Sequence, residues 1–215
     1  MPSRVSRKHS FPAILVVGIA AVAFLGIAFS LDSLVRETVA PWRTPRILAV
    51  ASWVTRLGYG WVLGVAGAIV AGVGYWAGRS CWVRAGLINI PALIASGLAT
   101  RVLKILIGRP RPRLIDQGVA NWGPSLSSGF NSFPSGHATS AFTLAAVFAF
   151  YIPSWRVGVY LLAVCVAFSR IVLNAHFFSD VVGGALVGFL IGRAAIAVAD
   201  RHWPERASSQ SSNAE

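Results

Sequence analysis

The sequence predicts an all-α protein, a bundle of six transmembrane helices with a functional site at the outer end of the helices. Hydrophobic residues make up 55% of the 215 residues, charged residues only 12%, and the mean hydropathy is +0.66. A soluble domain carries roughly a quarter charged residues, so an ordinary soluble fold is excluded. Long apolar segments recur along the chain, and three polar motifs fall at the same ends of these segments.

Each predicted span approaches the length of about 20 apolar residues that a membrane helix needs. The spans cover residues 11–30, 58–78, 85–108, 136–152, 157–173 and 180–199. Residues 1–200 are therefore expected to form a single membrane domain, and residues 201–215 a disordered cytoplasmic tail.

The first span follows three basic residues, Arg4, Arg7 and Lys8, which also precede the apolar core of a signal peptide. Its uninterrupted length exceeds the usual 7 to 15 residues of such a core, which favours a retained anchor over a cleaved peptide. Residues 31–46 are mixed in composition and are predicted to form a loop. Residues 47–57 are predicted to form an amphipathic helix on the membrane surface.

Glycines at three- and four-residue spacing indicate close helix packing in two spans. In the third span, Pro91 predicts a kink. A polar loop over residues 109–133 precedes the fourth span, and the segment 153–156 turns the chain into the fifth. The spaced glycines are Gly60, Gly64 and Gly67 in the second span, and Gly184, Gly188 and Gly192 in the sixth.

The net charge of +12 comes from 19 Lys and Arg residues against seven acids. Most of these cations border apolar runs and form no basic block, so nucleic acid is not the expected partner. Nine lie on the side of the termini and ten on the other. Five of the ten surround the motifs, and with those set aside the positive-inside rule makes the termini cytoplasmic. The five are Lys104, Arg109, Arg111, Arg113 and Arg170.

Three motifs carry the chemistry, and each lies at the same end of a predicted helix. The third span ends on Lys104-Ile-Leu-Ile-Gly-Arg-Pro-Arg111-Pro112. Pro134-Ser135-Gly136-His137 opens the fourth span. Ser169-Arg170 ends the fifth, and His176 to Asp180 opens the sixth.

These residue types indicate that an oxyanion binds where the motifs meet. Lys104, Arg111 and Arg170 supply positive donors, and Arg can bind two phosphate oxygens at once. Ser135 and Gly136 begin a helix, whose free N–H groups attract an anion. His176 and Asp180 are four residues apart and are predicted to share a helix face, with Asp180 orienting the imidazole as a nucleophile. His137 is then the expected proton donor to the leaving group.

The three motifs resemble those of the type 2 phosphatidic acid phosphatase (PAP2) superfamily: Lys-x6-Arg-Pro, Pro-Ser-Gly-His and Ser-Arg-x5-His-x3-Asp. The resemblance covers residues 104–180 without a departure at the defining positions. It implies that His176 forms a phosphohistidine, that Asp180 orients it and that His137 protonates the leaving oxygen. It also implies no metal or other cofactor, and phosphoryl binding by Lys104, Arg111, Ser135, Gly136 and Arg170.

The resulting hypothesis is a metal-independent lipid phosphate phosphatase of a bacterial cytoplasmic membrane, with its site facing outward. Its substrate is a phosphomonoester or diphosphate lipid: undecaprenyl diphosphate, phosphatidic acid, phosphatidylglycerophosphate or a lipid A phosphate. Two alternatives are a phosphotransferase using the same intermediate and a non-enzymatic transporter of anions or lipids. The roles of Arg101, Arg109 and Arg113 stay open. Four further arginines are expected to reach lipid headgroups: Arg56, Arg79, Arg84 and Arg193.

Overall fold

The structure is a computed structural model that describes residues 10–203, and over these residues the protein is all-helical with no strand. The three basic residues before the first span and residues 204–215 of the expected tail lie outside the described residues. The helices are α1 (Ser10–Ser30), α2 (Asp32–Val39), α3 (Pro45–Arg56), α4 (Gly60–Trp76), α5 (Ser80–Ile107), α6 (Pro112–Ile115), α7 (Gly136–Tyr151), α8 (Arg156–Val172) and α9 (Phe178–His202).

Between residues 10 and 203, three helical segments are long and apolar enough to cross a membrane: Ser80–Ile115, Pro153–Val172 and Phe178–His202. Two bent pairs bring the number to five if each pair is one span. These pairs are Gly18–Ser30 with Asp32–Trp42, bent by 48°, and Pro45–Arg56 with Gly60–Trp76, bent by 54°. The predicted span 136–152 forms only the 16-residue α7. At about 24 Å, it is shorter than a hydrocarbon core of about 30 Å.

Helix α7 forms the centre of the bundle, and eleven of its 16 residues are buried. Nine of the 16 are Ala, Gly, Ser or Thr, and such small side chains let neighbouring helices approach closely. The glycines of α9 lie against it as predicted. A Cβ at Gly184 would lie 2.6 Å from Ser135 O, and a Cβ at Gly188 would lie 2.2 Å from Thr139 O.

The glycines of α4 fit the packing prediction only in part. A Cβ at Gly67 would lie 2.7 Å from Asn89 Nδ2 and 3.3 Å from Gly86 O, so this glycine lies in the contact between α4 and α5. At Gly64, by contrast, a Cβ would meet no atom within 4 Å. Gly64 is therefore not part of the helix interface.

The segment between α1 and α3 is not the predicted loop. Residues 32–39 form α2, followed by a 3-10 turn over residues 40–42. The mixed composition is amphipathic at helical spacing, because Asp32, Val35 and Val39 fall on one face. Asp32 and Val39 are buried, and Val35 packs against the same cluster as Val39. The next prediction, a helix over residues 47–57, is confirmed as α3.

Arg84 does not reach the headgroups as expected, because α5 begins at Ser80 and carries it into the bundle. Arg84 is buried and donates from Nη2 to Asp200 Oδ1 at 3.0 Å and to Trp203 O at 2.7 Å. Asp200 and Trp203 hold the end of α9 against α5. For this reason, the helix continues to His202, so Arg201 and His202 are helical and not part of the expected disordered tail.

At its other end, α5 stops at Gly108. This residue has a φ of +53°, a left-handed conformation that favours glycine at the end of a helix. A Cβ here would also lie 1.5 Å from Gly123 O in the loop that follows. The loop can therefore fold back over the helix end, and it turns the next residue, Arg109, into the protein.

Candidate active site

The three motifs meet at one end of the bundle. Lys104 is in the last turn of α5, His137 in the first turn of α7, Arg170 in the last turn of α8 and Asp180 in the first turn of α9. The loop and helix backbones are joined directly, because the N–H of Ser135 donates to the carbonyl of Asp180 at 2.9 Å. The sequence therefore identified the groups that the fold brings together.

His176 and Asp180 are adjacent, although not on one helix face. Helix α9 begins at Phe178, so His176 lies in the turn before it. Asp180 is the third residue of α9 and points back past the helix start, where its Oδ2 accepts from the N–H of Phe177 at 2.8 Å. The same oxygen is 3.4 Å from His176 Nδ1. Helix capping, rather than helical periodicity, produces the pair.

The His176 ring is only 4% exposed, and Asp180 is completely buried. Burial lowers the pKa of His176 to about 4, while the neighbouring Asp180 carboxylate acts in the opposite direction. The imidazole is therefore neutral at physiological pH. With Nδ1 turned to Asp180, the lone pair of Nε2 on the other side of the ring is the one available for attack.

Asp180 is held rigidly by donors on both of its oxygens. Arg109 Nη1 donates to Oδ1 at 2.7 Å, and Ser132 Oγ donates to Oδ2. Arg109 and Ser132 are both buried, and the N–H of Ser132 donates to the carbonyl of Arg109. The loop of residues 109–133 thus fixes the carboxylate that faces His176.

The three cations of the motifs have partners that hold them in place. Lys104 Nζ donates to the carbonyl of Asn131, and Arg111 Nε donates to Asn131 Oδ1 at 2.7 Å. Asn131 therefore sets these two side chains next to each other. Arg170 Nη1 donates to Thr55 Oγ1 at 2.8 Å, which ties the end of α8 to α3. All three cations lie within electrostatic range of His137.

Several buried polar atoms of the motifs have no hydrogen-bond partner among the described residues. They are Ser135 Oγ, His137 Nε2 and Arg170 Nε, apart from His176 Nδ1, which faces Asp180 Oδ2 at 3.4 Å. Buried polar groups are otherwise almost always paired, so a cluster of unpaired ones needs an explanation. Ser135 is the N-cap of α7 but makes no side-chain cap bond. These atoms are available to a ligand that fits between them.

A cavity of about 530 Å³ is lined by His137 together with Lys104 and Gly136, whereas Ser135, Arg170 and His176 are not among its lining residues. From there it follows one face of α5 down to Leu93, with Gly97 and other residues of that face in between. Helices α4 and α7 contribute further wall residues, namely Gly60 and Ser140, and the loop contributes Ser125, Leu126, Ser127, Ser128 and Asn131.

Sequence reasoning missed several residues at the site. Asp32 of α2 contacts Arg109, and Tyr59 places its ring 4.8 Å from that of His137. Neither belongs to a motif. A signal for Asp32 existed, because it is a lone acid directly after the first span, at the end of that span which faces the site. The role of Arg109, which the sequence left open, is to hold Asp180 through a hydrogen bond to its carboxylate.

No three or more His, Cys, Asp or Glu side chains between residues 10 and 203 are arranged to hold a metal ion. The acids nearest the site are engaged in hydrogen bonds to protein groups: Asp180 as described, and Asp32 with Arg109 and Ser179. Metal independence itself stays a prediction for the assay below.

The fold and the site first define a class, an all-helical protein with spans apolar enough for a membrane and a His and Asp pair beside clustered cations. Residues 85–204 match the model of the PAP2 superfamily, more than half of the chain. The chain therefore belongs to the PAP2 superfamily.

Relatives of known function are similar over different lengths. Lipid A 1-phosphatase of Rhizobium johnstonii is 39% identical over 98 residues, which cover 45% of this chain and 40% of that protein. The match to the Rhizobium etli protein of the same name likewise spans less than half of that relative, 46%. Phosphatidylglycerophosphatase B of Bacillus subtilis is 28% identical over 184 residues, 80% of this chain and 85% of the relative.

Two crystal structures have a similar fold. A transmembrane PAP2 type phosphatidylglycerolphosphate phosphatase from Bacillus subtilis superposes with a TM-score of 0.66 at 24% identity, over 87% of this chain and 98% of that one. Aquifex aeolicus LpxE gives a TM-score of 0.56 at 23% identity, over 78% and 95% of the two chains. At these identities the likeness supports the fold alone.

Proposed function

We propose that the protein is a metal-independent lipid phosphate phosphatase that works through a phosphohistidine at His176. One observation carries the proposal: the buried His176 and Asp180 pair lies with the unpaired Ser135 Oγ and His137 Nε2 among clustered cations at one end of the bundle, and His137 and Lys104 also line the cavity. A phosphoryl group fits these groups better than any other ligand, because it supplies three acceptor oxygens and an electrophilic centre together.

In the first step, the lone pair of His176 Nε2 forms a bond to phosphorus, and the bond from phosphorus to the leaving oxygen breaks. The leaving oxygen takes a proton from His137. Asp180 keeps the proton of the imidazole on Nδ1 and stabilises the positive charge that develops on the ring. In the second step, water attacks phosphorus, gives a proton to His137 and releases His176 as neutral imidazole.

Phosphoryl binding falls to the three cations and to the start of α7. Arg111 uses Nε for Asn131, which leaves its two Nη groups for phosphoryl oxygens. Ser135 contributes its hydroxyl, and the N–H groups of the first turn, from Gly136 onward, point along the positive end of the helix dipole. Lys104 and Arg170 supply further positive charge to the phosphoryl oxygens. These contacts stabilise the transition state, in which charge spreads over the equatorial oxygens.

The cavity along α5 is suited to the lipid part of the substrate. Its length on that helix, from Leu93 to Lys104, is about 16 Å at 1.5 Å per residue. The far end is lined by Leu93 and Gly97, whereas serines of the loop surround the end nearest Lys104. An acyl or prenyl chain would lie along α5, with the headgroup and its phosphate at the serine-lined end.

Among the substrates, the relatives favour a phosphate of lipid A or phosphatidylglycerophosphate, since their names contain these lipids. Phosphatidic acid and undecaprenyl diphosphate complete the set to be assayed. We place the protein in a bacterial cytoplasmic membrane as a bundle of six spans, α7 included, with the site facing outward. A reporter fused within residues 109–133 tests this orientation, and a cytoplasmic signal there would overturn it.

The test of function is a phosphate-release panel with purified wild type and His176→Ala in vesicles, with the four lipid phosphates as substrates and EDTA present. The proposal predicts release by the wild type from at least one lipid and none by the variant. Turnover by His176→Ala would refute the mechanism. A labelled phosphate that moves to an acceptor lipid instead of water would show the phosphotransferase, and no chemistry with any lipid would favour a transporter.

A further inference from the structure

A second buried carboxylate lies behind the His176 and Asp180 pair, and it comes from a part of the chain that precedes the family match. Asp32 is the first residue of α2 and is 7% exposed. Its Oδ1 accepts from the N–H of Ser179 at 2.8 Å, and its Oδ2 accepts from Ser179 Oγ at 2.6 Å. Asp32 thereby caps the start of α9 from another helix.

Arg109 lies between the two carboxylates. Its Nη2 donates to Asp32 Oδ2 at 2.7 Å, and its Nη1 donates to Asp180 Oδ1 at 2.7 Å and to Ser179 Oγ at 2.6 Å. The guanidinium is itself 5% exposed. A single cation is thus shared by two acids, one of which faces the proposed nucleophile.

Three aromatic rings close this cluster off from water. The guanidinium carbon of Arg109 is 4.8 Å from the ring centre of Phe29, 4.9 Å from that of Trp122 and 4.1 Å from that of Phe177. The rings come from α1, the loop and the start of α9. Because solvent screens charges poorly at this buried position, the two acids and Arg109 add to the field at His176, to which Lys104 and Arg170 also contribute.

We infer that Asp32 and Arg109 are positioning residues for the reaction: Arg109 holds Asp180 in place, and Asp32 neutralises Arg109 so that the charge of Asp180 stays available to His176. The inference rests on the proposed function. The two acids and Arg109 sum to minus one while His176 is neutral. When Nε2 bonds to phosphorus and the ring becomes cationic, the four groups sum to zero. Without Asp32 they would sum to plus one, which disfavours the intermediate.

The test compares kcat and KM for the best lipid phosphate across variants in vesicles. Asp32→Asn keeps the size of the side chain and removes its charge, so kcat is expected to fall about 10- to 100-fold while KM changes less than about threefold. Asp116→Asn is the matched control. Asp116 is on the loop, about half exposed, and pairs with Arg36, away from Arg109. It should behave as the wild type.

A second variant separates charge from structure. Adding Arg109→Gln to Asp32→Asn returns the sum to minus one, and Gln can still donate a hydrogen bond to Asp180. The inference predicts that kcat per folded enzyme, with the folded fraction taken from thermal unfolding, rises at least threefold above that of Asp32→Asn. A purely structural role predicts a further fall, because two buried contacts are then lost.

Wild-type kcat in Asp32→Asn, or no recovery in the double variant, would overturn the inference. Including His176→Ala in the same series distinguishes a failure of the positioning role from a failure of the proposed function. If His176→Ala is inactive while Asp32→Asn is unaffected, only the positioning role is wrong. If His176→Ala turns over, the proposed function itself has failed.

Discussion

The cavity along α5 can be filled without touching the groups that we propose to bind phosphate. Gly97 lines it, and a Cβ built there meets no atom within 4 Å. We predict that Gly97→Leu weakens the turnover of long-chain lipid phosphates and leaves the chemistry intact. The variant should also fold, since leucine is favoured over glycine in a helix by roughly 0.8 kcal/mol.

The magnitude follows from the volume that the new side chain occupies. The leucine side chain has four carbons, and it would displace about four methylene groups of a bound lipid chain. At about 0.8 kcal/mol for each methylene, the loss is about 3 kcal/mol. This corresponds to a fall in kcat/KM of roughly 100- to 200-fold.

The assay measures phosphate release from a long-chain lipid phosphate and from a water-soluble phosphomonoester with a short chain. The short substrate should keep kcat/KM within about threefold, because it does not reach Gly97. Gly72→Leu is the control: a Cβ at Gly72 also meets no atom within 4 Å, but this residue does not line the cavity. Equal losses for both substrates, or no loss for the long one, would refute the assignment of the cavity to the lipid chain.

Three further predictions concern the protonation of His176, the packing of α9 against α7 and the need for a metal ion. Burial lowers the pKa of His176 to about 4, and only the neutral imidazole can attack phosphorus. Once kcat/KM is corrected for the ionisation of the substrate phosphate near pH 6, it should therefore decline on the acid side with an apparent pKa near 4. A decline with an apparent pKa near 6.5 would contradict the buried site. Gly188→Ala places a Cβ 2.2 Å from Thr139 O, which should cost about 1 to 3 kcal/mol and lower the melting temperature by about 2 to 12 °C, whereas Gly64→Ala should not lower it. EDTA should change phosphate release by less than twofold, and a loss restored by a divalent ion would show that a metal takes part.

The sequence was sufficient for most of the helices and for the motif residues that meet at one end of the bundle, for a physical reason. Apolar runs and glycine spacing report directly on helices that contact lipid or each other. Alternation of the spans then places the helix ends that carry Lys104, His137, Arg170 and Asp180 on one side. Motif residues that meet at one end of the bundle can thus be found without coordinates.

What the sequence could not show depends on contacts between distant segments. Residues 32–39 have a mixed composition because their buried face includes Asp32, whose partner Arg109 is far away along the chain. The start of α9 at Phe178, and so the position of His176 before the helix, is set by the cap that Asp180 makes. Arg84 has the sequence context of an interfacial cation, and only the folded structure brings Asp200 next to it. Each case needs tertiary structure.

The covalent intermediate is the central claim, and trapping it tests the claim most directly. The protein would be mixed with a lipid phosphate carrying labelled phosphorus, quenched within a turnover and digested, and the labelled peptide would be sequenced by mass spectrometry. The account predicts a phosphoryl group on His176 in the wild type, and neither label nor turnover in His176→Ala. Label on another residue, or undiminished turnover in His176→Ala, would contradict it.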